Sequence, residues 1–157
     1  MKLKGLTDED FVNYKKPSMF LVFPYCTFKC DKEAGCQVCQ NSSLAAARIL
    51  DVSLESLVAR YLGNPISHAV VCGGLEPLDS FEELLELVKA FRQATQDDII
   101  NYTGYTEEEV SDKIAELQKF PNMIVKFGRF RYNDKSRYDE ILGITLASEN
   151  QYAKKIS

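Results

Sequence analysis

The chain has 157 residues, of which 45% are apolar and 27% charged, and its formal net charge is −4. That length suits one ordinary domain with a buried core, and the balance excludes a disordered chain. The negative charge excludes a general affinity for nucleic acid or for an anionic membrane surface, and no run approaches the roughly 20 apolar residues of a membrane span.

Residues 1–16 read as an N-terminal helical extension, with Thr7 or Asp8 capping a short helix through Phe11 and Val12. Pro17 closes it. Met19–Phe23 is short, continuous and rich in aromatic and aliphatic residues, which predicts a buried strand. Pro24 ends that strand and opens a cysteine-rich loop over 24–41.

Ser43–Ile49 reads as a helical run. A further helix starts at Ser53, faces Leu57, Val58 and Tyr61 inward, and breaks at Gly63-Asn64-Pro65. His68–Cys72 is a second buried strand ending at Gly73-Gly74. Asp79 or Ser80 caps an amphipathic helix whose apolar stripe is Leu84, Leu85, Leu87, Val88 and Phe91. Ile99–Thr103 is a third strand. Thr106 to Glu109 has the form of a capping box, opening a helix through Val110, Ile114 and Leu117. Pro121 precedes a fourth strand, Met123–Phe127. The basic stretch Lys126, Arg129, Arg131, Lys135 and Arg137 is interrupted by Asp134, Asp139 and Glu140, and reads as a solvated face.

Strands alternating with helices predict an α/β fold with a mostly parallel sheet, and no linker or repeat divides residues 1–157. Parallel sheets keep their working groups at the C-terminal ends of the strands. Those ends are 24–41, 73–77, 103–105 and 127–129.

No secretory signal pattern is visible, so the expected location is cytoplasmic, where structural disulfides are disfavoured. Four of the five cysteines crowd between positions 26 and 39, which points to metal binding or redox chemistry. The loop reads Cys26-Thr27-Phe28-Lys29-Cys30, then Asp31–Gly35, then Cys36-Gln37-Val38-Cys39-Gln40-Asn41. Closely spaced thiolates on such a loop can wrap an iron–sulfur cluster. Four thiolates would saturate the irons and leave an electron carrier, whereas three would leave one iron open to a small molecule. Four thiolates could equally close a structural zinc site. Cys72, at the end of a buried strand, reads as a small core residue.

Cys26 and Cys30 reproduce the first interval of the C-x3-C-x2-C loop, and this arrangement resembles the radical S-adenosylmethionine superfamily. The second interval is longer here, with five residues before Cys36 or eight before Cys39. Val38 matches the apolar residue that family members set against adenine, and Gln40-Asn41 matches their C-x-N ending. The resemblance therefore implies a [4Fe–4S] cluster on Cys26, Cys30 and Cys39, with Cys36 as the alternative third ligand. Gly73-Gly74-Leu75-Glu76-Pro77 is similar to the segment that holds the amino group of S-adenosylmethionine, with Leu75 inserted. Read without the resemblance, Glu76 could instead be a helix-capping charge.

Tyr102-Thr103-Gly104-Tyr105-Thr106 resembles the Y-T-G-Y-T segment of anaerobic ribonucleotide reductase activating enzymes, and Gly143–Gln151 is similar to their Gly-Ser-x-Asn-Gln ending. Gly128-Arg129-Phe130 stands where they carry Asp-Gly-x-Phe, with Phe127 replacing the aspartate. The likeness runs from about Phe20 to Gln151. It implies a partial (open) TIM-like βα barrel and a cofactor site that includes Val38, Asn41, Gly73, Gly74, Glu76, Tyr102 and Thr103. It also implies reductive cleavage of S-adenosylmethionine, a glycyl-radical protein as partner (the large subunit of an anaerobic ribonucleotide reductase), and a flavodoxin or ferredoxin as electron donor. The only histidine, His68, starts a strand, so acid–base catalysis is hardly provided for. Other readings are a radical enzyme acting on another peptide or small molecule, and a non-catalytic four-cysteine zinc or iron–sulfur module.

Overall fold

The backbone of four consecutive apolar segments assembles side by side, and the rest of the chain is arranged around that sheet. The structure is a computed structural model describing residues 1–157. In chain order, β1 (Lys2–Leu3) and β2 (Gly5–Asp10) precede β3 (Ser18–Phe23). α1 (Lys29–Ala34) lies within the cysteine loop, and β4 (Leu50–Asp51) pairs with β1 ahead of α2 (Leu54–Leu62). β5 (Ala69–Gly74), α3 (Phe81–Ala94), β6 (Asp98–Tyr102), α4 (Ser111–Leu117) and β7 (Met123–Phe127) follow. A small hairpin of β8 (Arg137–Asp139) and β9 (Ile144–Leu146) then leads to β10 (Tyr152–Lys155).

The main sheet has the order β10-β7-β6-β5-β3-β2. Its four inner strands are parallel, as crossovers through helices require, and its two edges, β2 and β10, are antiparallel. The fold is α/β with a mixed sheet, and the sheet does not close into a barrel.

Side chains alternate between the faces of a strand, and this alternation divides the molecule. Met19, Leu21, Phe23, Val70, Cys72, Ile99, Met123, Val125 and Phe127 share one core with Leu57 and Tyr61 of α2, Leu84, Leu87, Val88 and Phe91 of α3, and Ile114 and Leu117 of α4. The intervening residues Ala69, Val71, Ile100 and Ile124 pack on the other side with Tyr14, Leu142 and Leu146. Further along that second face, Phe20, Gly73, Tyr102 and Lys126 border a cavity.

Several local signals act as expected. Ser53 caps α2 by accepting the N–H of Ser56 at 3.1 Å. The Thr106–Glu109 box is reciprocal, with Thr106 N–H to Glu109 Oε2 at 2.9 Å and Glu109 N–H to Thr106 Oγ1 at 3.4 Å. Cys72 is fully buried and belongs to the core, and His68 is exposed just ahead of β5.

Two expectations are corrected. The N-terminal segment is not helical: Gly5–Asp10 is a strand pairing antiparallel with β3, and residues 11–16 carry no helix. The bare edge of β3 supplies backbone partners that a short isolated helix cannot match. The acidic Asp8 and Asp10 on this outer strand keep the new edge charged. Ser43–Ile49 is not an α-helix either. Only Ser42–Ala46 turns, as a tight 3-10 segment, and none of its residues is buried, so no apolar face extends it.

Candidate functional site

The cavity, about 480 Å³, opens at the C-terminal ends of the parallel strands and falls within the range of ligand pockets. Cys26, Cys30 and Cys39 line it, and Cys36 does not. Cys36 is exposed on the far part of the loop, while the other three are half-buried.

The long interval between Cys30 and Cys39 is bridged from within. Residues 29–34 coil into α1, which ends at Gly35 in the left-handed region with φ +69°. The Asp31 Oδ1 atom then accepts the backbone N–H groups of both Val38 and Cys39, each at 2.8 Å. Two bonds to one charged acceptor hold the returning loop, so Cys39 comes back beside Cys30 despite the inserted residues. Burial pushes the Cys26 thiol up to about 11 and raises that of Cys30 as well. The backbone N–H of Phe28 donates to Cys26 Sγ at 3.2 Å.

Opposite the loop stands the end of β5. Gly74 has φ +84°, and a Cβ there would lie 2.5 Å from Val22 Cγ1, so only glycine fits. Its carbonyl accepts the Asn41 side-chain N–H at 2.7 Å, which fastens the end of the cysteine loop to the glycine segment. Glu76 turns inward and is 6% exposed. Its Oε1 accepts Leu78 N–H at 3.1 Å and its Oε2 accepts Gly104 N–H at 2.8 Å, and the Thr103 hydroxyl bonds it too. Glu76 therefore caps the short turn at Pro77–Ser80 and borders the cavity at once. Burial raises its carboxyl to about 7. A carboxylate has about four acceptor positions, so these bonds leave capacity for a ligand.

The segment after β6 closes the side wall. Thr103 Oγ1 accepts Tyr105 N–H at 3.0 Å, and Tyr105 donates its hydroxyl to Asp79 at 2.6 Å. Asp79 in turn accepts Thr27 N–H at 2.8 Å, next to Cys26. A Cβ on Gly104 would lie 3.6 Å from Glu76 Oε2 and 3.8 Å from Cys30 Sγ, which measures how closely backbone, carboxylate and thiol converge. Gly128, with φ +98°, lets Gln151 donate to its carbonyl at 3.3 Å, which brings Gln151 and Ala147 to the floor.

Of the residues assigned from sequence, Cys26, Cys30, Cys39, Asn41, Gly73, Gly74, Glu76, Tyr102 and Thr103 all border the one cavity. Val38 does not. Its backbone is tied to Asp31 and its side chain stays half-buried away from the lining. Phe127, which replaces the family's aspartate, points into the core against Tyr152, with ring centroids 5.5 Å apart.

The expected solvated basic face is corrected at two of its members. Lys126 and Arg129 are 7% and 8% exposed. Strand alternation turns Lys126 onto the cavity face, where sequence reasoning had missed it. Its ammonium donates to the Gly128 carbonyl at 2.9 Å, and burial lowers its pKa to about 8. Arg129 grips Glu109 with both terminal nitrogens and lies 2.9 Å from Glu33 of α1, which pins the inserted helix to the sheet.

No three Cys, His, Asp or Glu side chains converge on a point that one metal ion could fill. Three soft thiols arranged round a cavity suit an iron–sulfur cluster, which is larger than an ion and is bound by cysteine thiolates. No helix is long and apolar enough to cross a membrane.

No curated protein and no solved structure is similar enough to this chain to count as a match. One family model does match, over residues 17–152, and that span includes every residue of the site just described. The chain belongs to the 4Fe–4S single cluster domain family.

Proposed function

We propose that the chain is a radical S-adenosylmethionine enzyme that generates a glycyl radical on an anaerobic ribonucleotide reductase. Cys26, Cys30 and Cys39 hold the [4Fe–4S] cluster in this reading, and the cleaved cofactor lies between them and the Gly73-Gly74-Leu75-Glu76 segment. The observation that carries it is the division of the loop cysteines, with three on the cavity and Cys36 outside it. A four-thiolate zinc site or electron carrier would draw all four together.

A cluster held by these three cysteines would supply a single electron for the sulfonium and one iron left without a cysteine ligand, open to the cofactor. The chain's own residues orient and enclose. Glu76 would accept a hydrogen bond from an N–H of the cofactor's amino group, and Gly73 and Gly74 let the backbone approach it without a side chain in the way. Asn41 fixes the loop to Gly74. The open sheet is read as a partial βα barrel, whose uncovered side admits a loop of the partner protein.

The test is anaerobic reduction of the reconstituted chain with S-adenosylmethionine, which is expected to yield 5′-deoxyadenosine. With a glycyl-radical protein present, a glycyl signal is expected by electron paramagnetic resonance. Absence of 5′-deoxyadenosine overturns the cleavage reading. Cleavage without a signal on any glycyl-radical protein overturns the partner and favours another peptide or small molecule as substrate.

A further inference from the structure

Cys36 is the loop cysteine that the cluster reading leaves unused. It is exposed and lines no part of the cavity, whereas Cys26, Cys30 and Cys39 are half-buried along it. An exposed thiol alone carries little, but Cys36-Gln37-Val38-Cys39 is a C-x2-C pair, the spacing of dithiol redox sites as well as of metal ligands. The backbone holds the pair on one short arc. α1 ends at Gly35, where φ +69° turns the chain, and Asp31 Oδ1 takes the N–H groups of Val38 and Cys39, each at 2.8 Å. Between those anchors lie only Cys36 and Gln37, both exposed and outside any helix or strand. Folding four residues into a single turn brings their end Cα atoms within about 7 Å. A disulfide spans Cα atoms about 4.4–6.8 Å apart, so closing this arc into a turn brings the two sulfurs within reach. Cys26 and Cys30 are placed otherwise: Cys30 sits inside α1, and the Cys26 sulfur already accepts the N–H of Phe28 at 3.2 Å.

We propose that Cys36 and Cys39 are a reversible dithiol–disulfide site, open while Cys39 holds the cluster and closed by small-molecule disulfides once the cluster is gone. The inference rests on Cys39 as a cluster ligand and not on cleavage of S-adenosylmethionine. The Cys36 thiolate attacks one sulfur of the oxidant, forming a mixed disulfide and releasing one thiol, which takes up the proton that Cys36 gave up. Cys39 then attacks the Cys36 sulfur as its thiolate, and the second thiol leaves with the proton from Cys39. The two chain thiols lose two electrons in total, and these reduce the oxidant disulfide to two thiols. Exposure makes Cys36 the thiol that meets the oxidant, and the arc makes Cys39 its resolving partner. The closed pair withholds one of the three cluster ligands and shields Cys39 from irreversible oxidation until a dithiol reopens it.

The experiment treats two oxygen-free forms of the chain, metal-free and reconstituted with its cluster, with oxidised glutathione. Remaining thiols are then alkylated, and the chain is digested with trypsin and weighed by mass spectrometry. Cleavage after Lys32 and Arg48 gives the peptide Glu33–Arg48, which contains Cys36 and Cys39 and neither Cys26 nor Cys30. From the metal-free chain this peptide is expected to be two hydrogens lighter, with no alkyl label and no glutathione, and dithiothreitol is expected to reverse the change. From the reconstituted chain, with Cys39 held on iron, it is expected to carry one glutathione on Cys36. Metal-free Cys39→Ser is expected to stop at the same mixed disulfide. Cys36→Ser, which lacks the entry thiol, is expected to keep its other thiols free over the time that oxidises the wild type. Glutathione left on Cys36 in the metal-free wild type, or a bridge joining this peptide to one that carries Cys26 or Cys30, overturns the pair. Thiol loss in Cys36→Ser as fast as in the wild type overturns the role of Cys36. An internal bridge in the reconstituted chain with its iron retained shows that Cys39 is not a cluster ligand, which overturns the ligand set of the proposed function and the coupling of the pair to the cluster.

Discussion

The carboxylate of Asp31 accepts the backbone N–H of Cys39 at 2.8 Å, across eight residues of the cysteine loop. The same oxygen takes the N–H of Val38. Asp31 thereby converts a long interval into a closed turn. Removing it in Asp31→Ala is expected to free Cys39 and lower the iron and sulfide retained after anaerobic reconstitution by at least about half, because two charge-assisted bonds of roughly 1.5–3 kcal/mol each are lost. Asp31→Asn keeps the acceptor oxygen and is expected to retain the metal. Full iron content in Asp31→Ala would show that the turn holds without the carboxylate.

Gly74 tests the steric fit of the site. An alanine there takes φ +84° and sets its Cβ 2.5 Å from Val22 Cγ1. Left-handed backbone and the clash together cost about 2 kcal/mol or more. The expected fall in melting temperature is about 4–8 °C for a domain of this size, measured by circular dichroism. An unchanged melting temperature would mean that β3 and β5 can move apart freely.

Glu76 links the site to pH. Burial raises its carboxyl from 4.5 to about 7, so the folded chain keeps a proton that the unfolded chain releases near 4.5. Stability from this group is present at low pH and falls as pH rises through about 4.5 to about 7. Glu76→Gln removes that dependence. Relative to the wild type, the variant is expected to gain on the order of 3 kcal/mol between about pH 4.5 and about pH 7.5 in denaturant unfolding, while losing affinity for S-adenosylmethionine about 10- to 100-fold. Parallel pH profiles for the two proteins would contradict the buried, partly neutral carboxyl.

The four parallel strands were legible because each is a short continuous apolar run, and such runs are buried on both faces. Met123–Phe127 has the bounds expected of it. β2 was not legible, since its pattern is acidic and its order comes from the edge of β3, which lies far along the chain. β8, β9 and β10 are three or four residues each and are held largely by tertiary bonds such as Asp139 Oδ2 to Ala153 N–H at 2.8 Å, which no local pattern announces. Within the site, the glycines, Glu76 and the YTGY segment were legible only through their resemblance to family segments in matching order, since each alone reads as an ordinary turn, cap or packing signal. Lys126 was not, because a lysine in a charged stretch reads as surface until strand alternation turns it inward. Spacing also treats Cys36 and Cys39 alike, and it is the Asp31 turn that separates them in space.

The whole account depends on three thiolates holding a cluster while the fourth loop cysteine stays apart. Iron, sulfide and zinc are counted in oxygen-free preparations of the wild type and of Cys36→Ala. Both are expected to hold four irons and four sulfides per chain with no zinc, and Cys39→Ala is expected to lose them. A single zinc in the wild type, or loss of the cluster in Cys36→Ala, would contradict it.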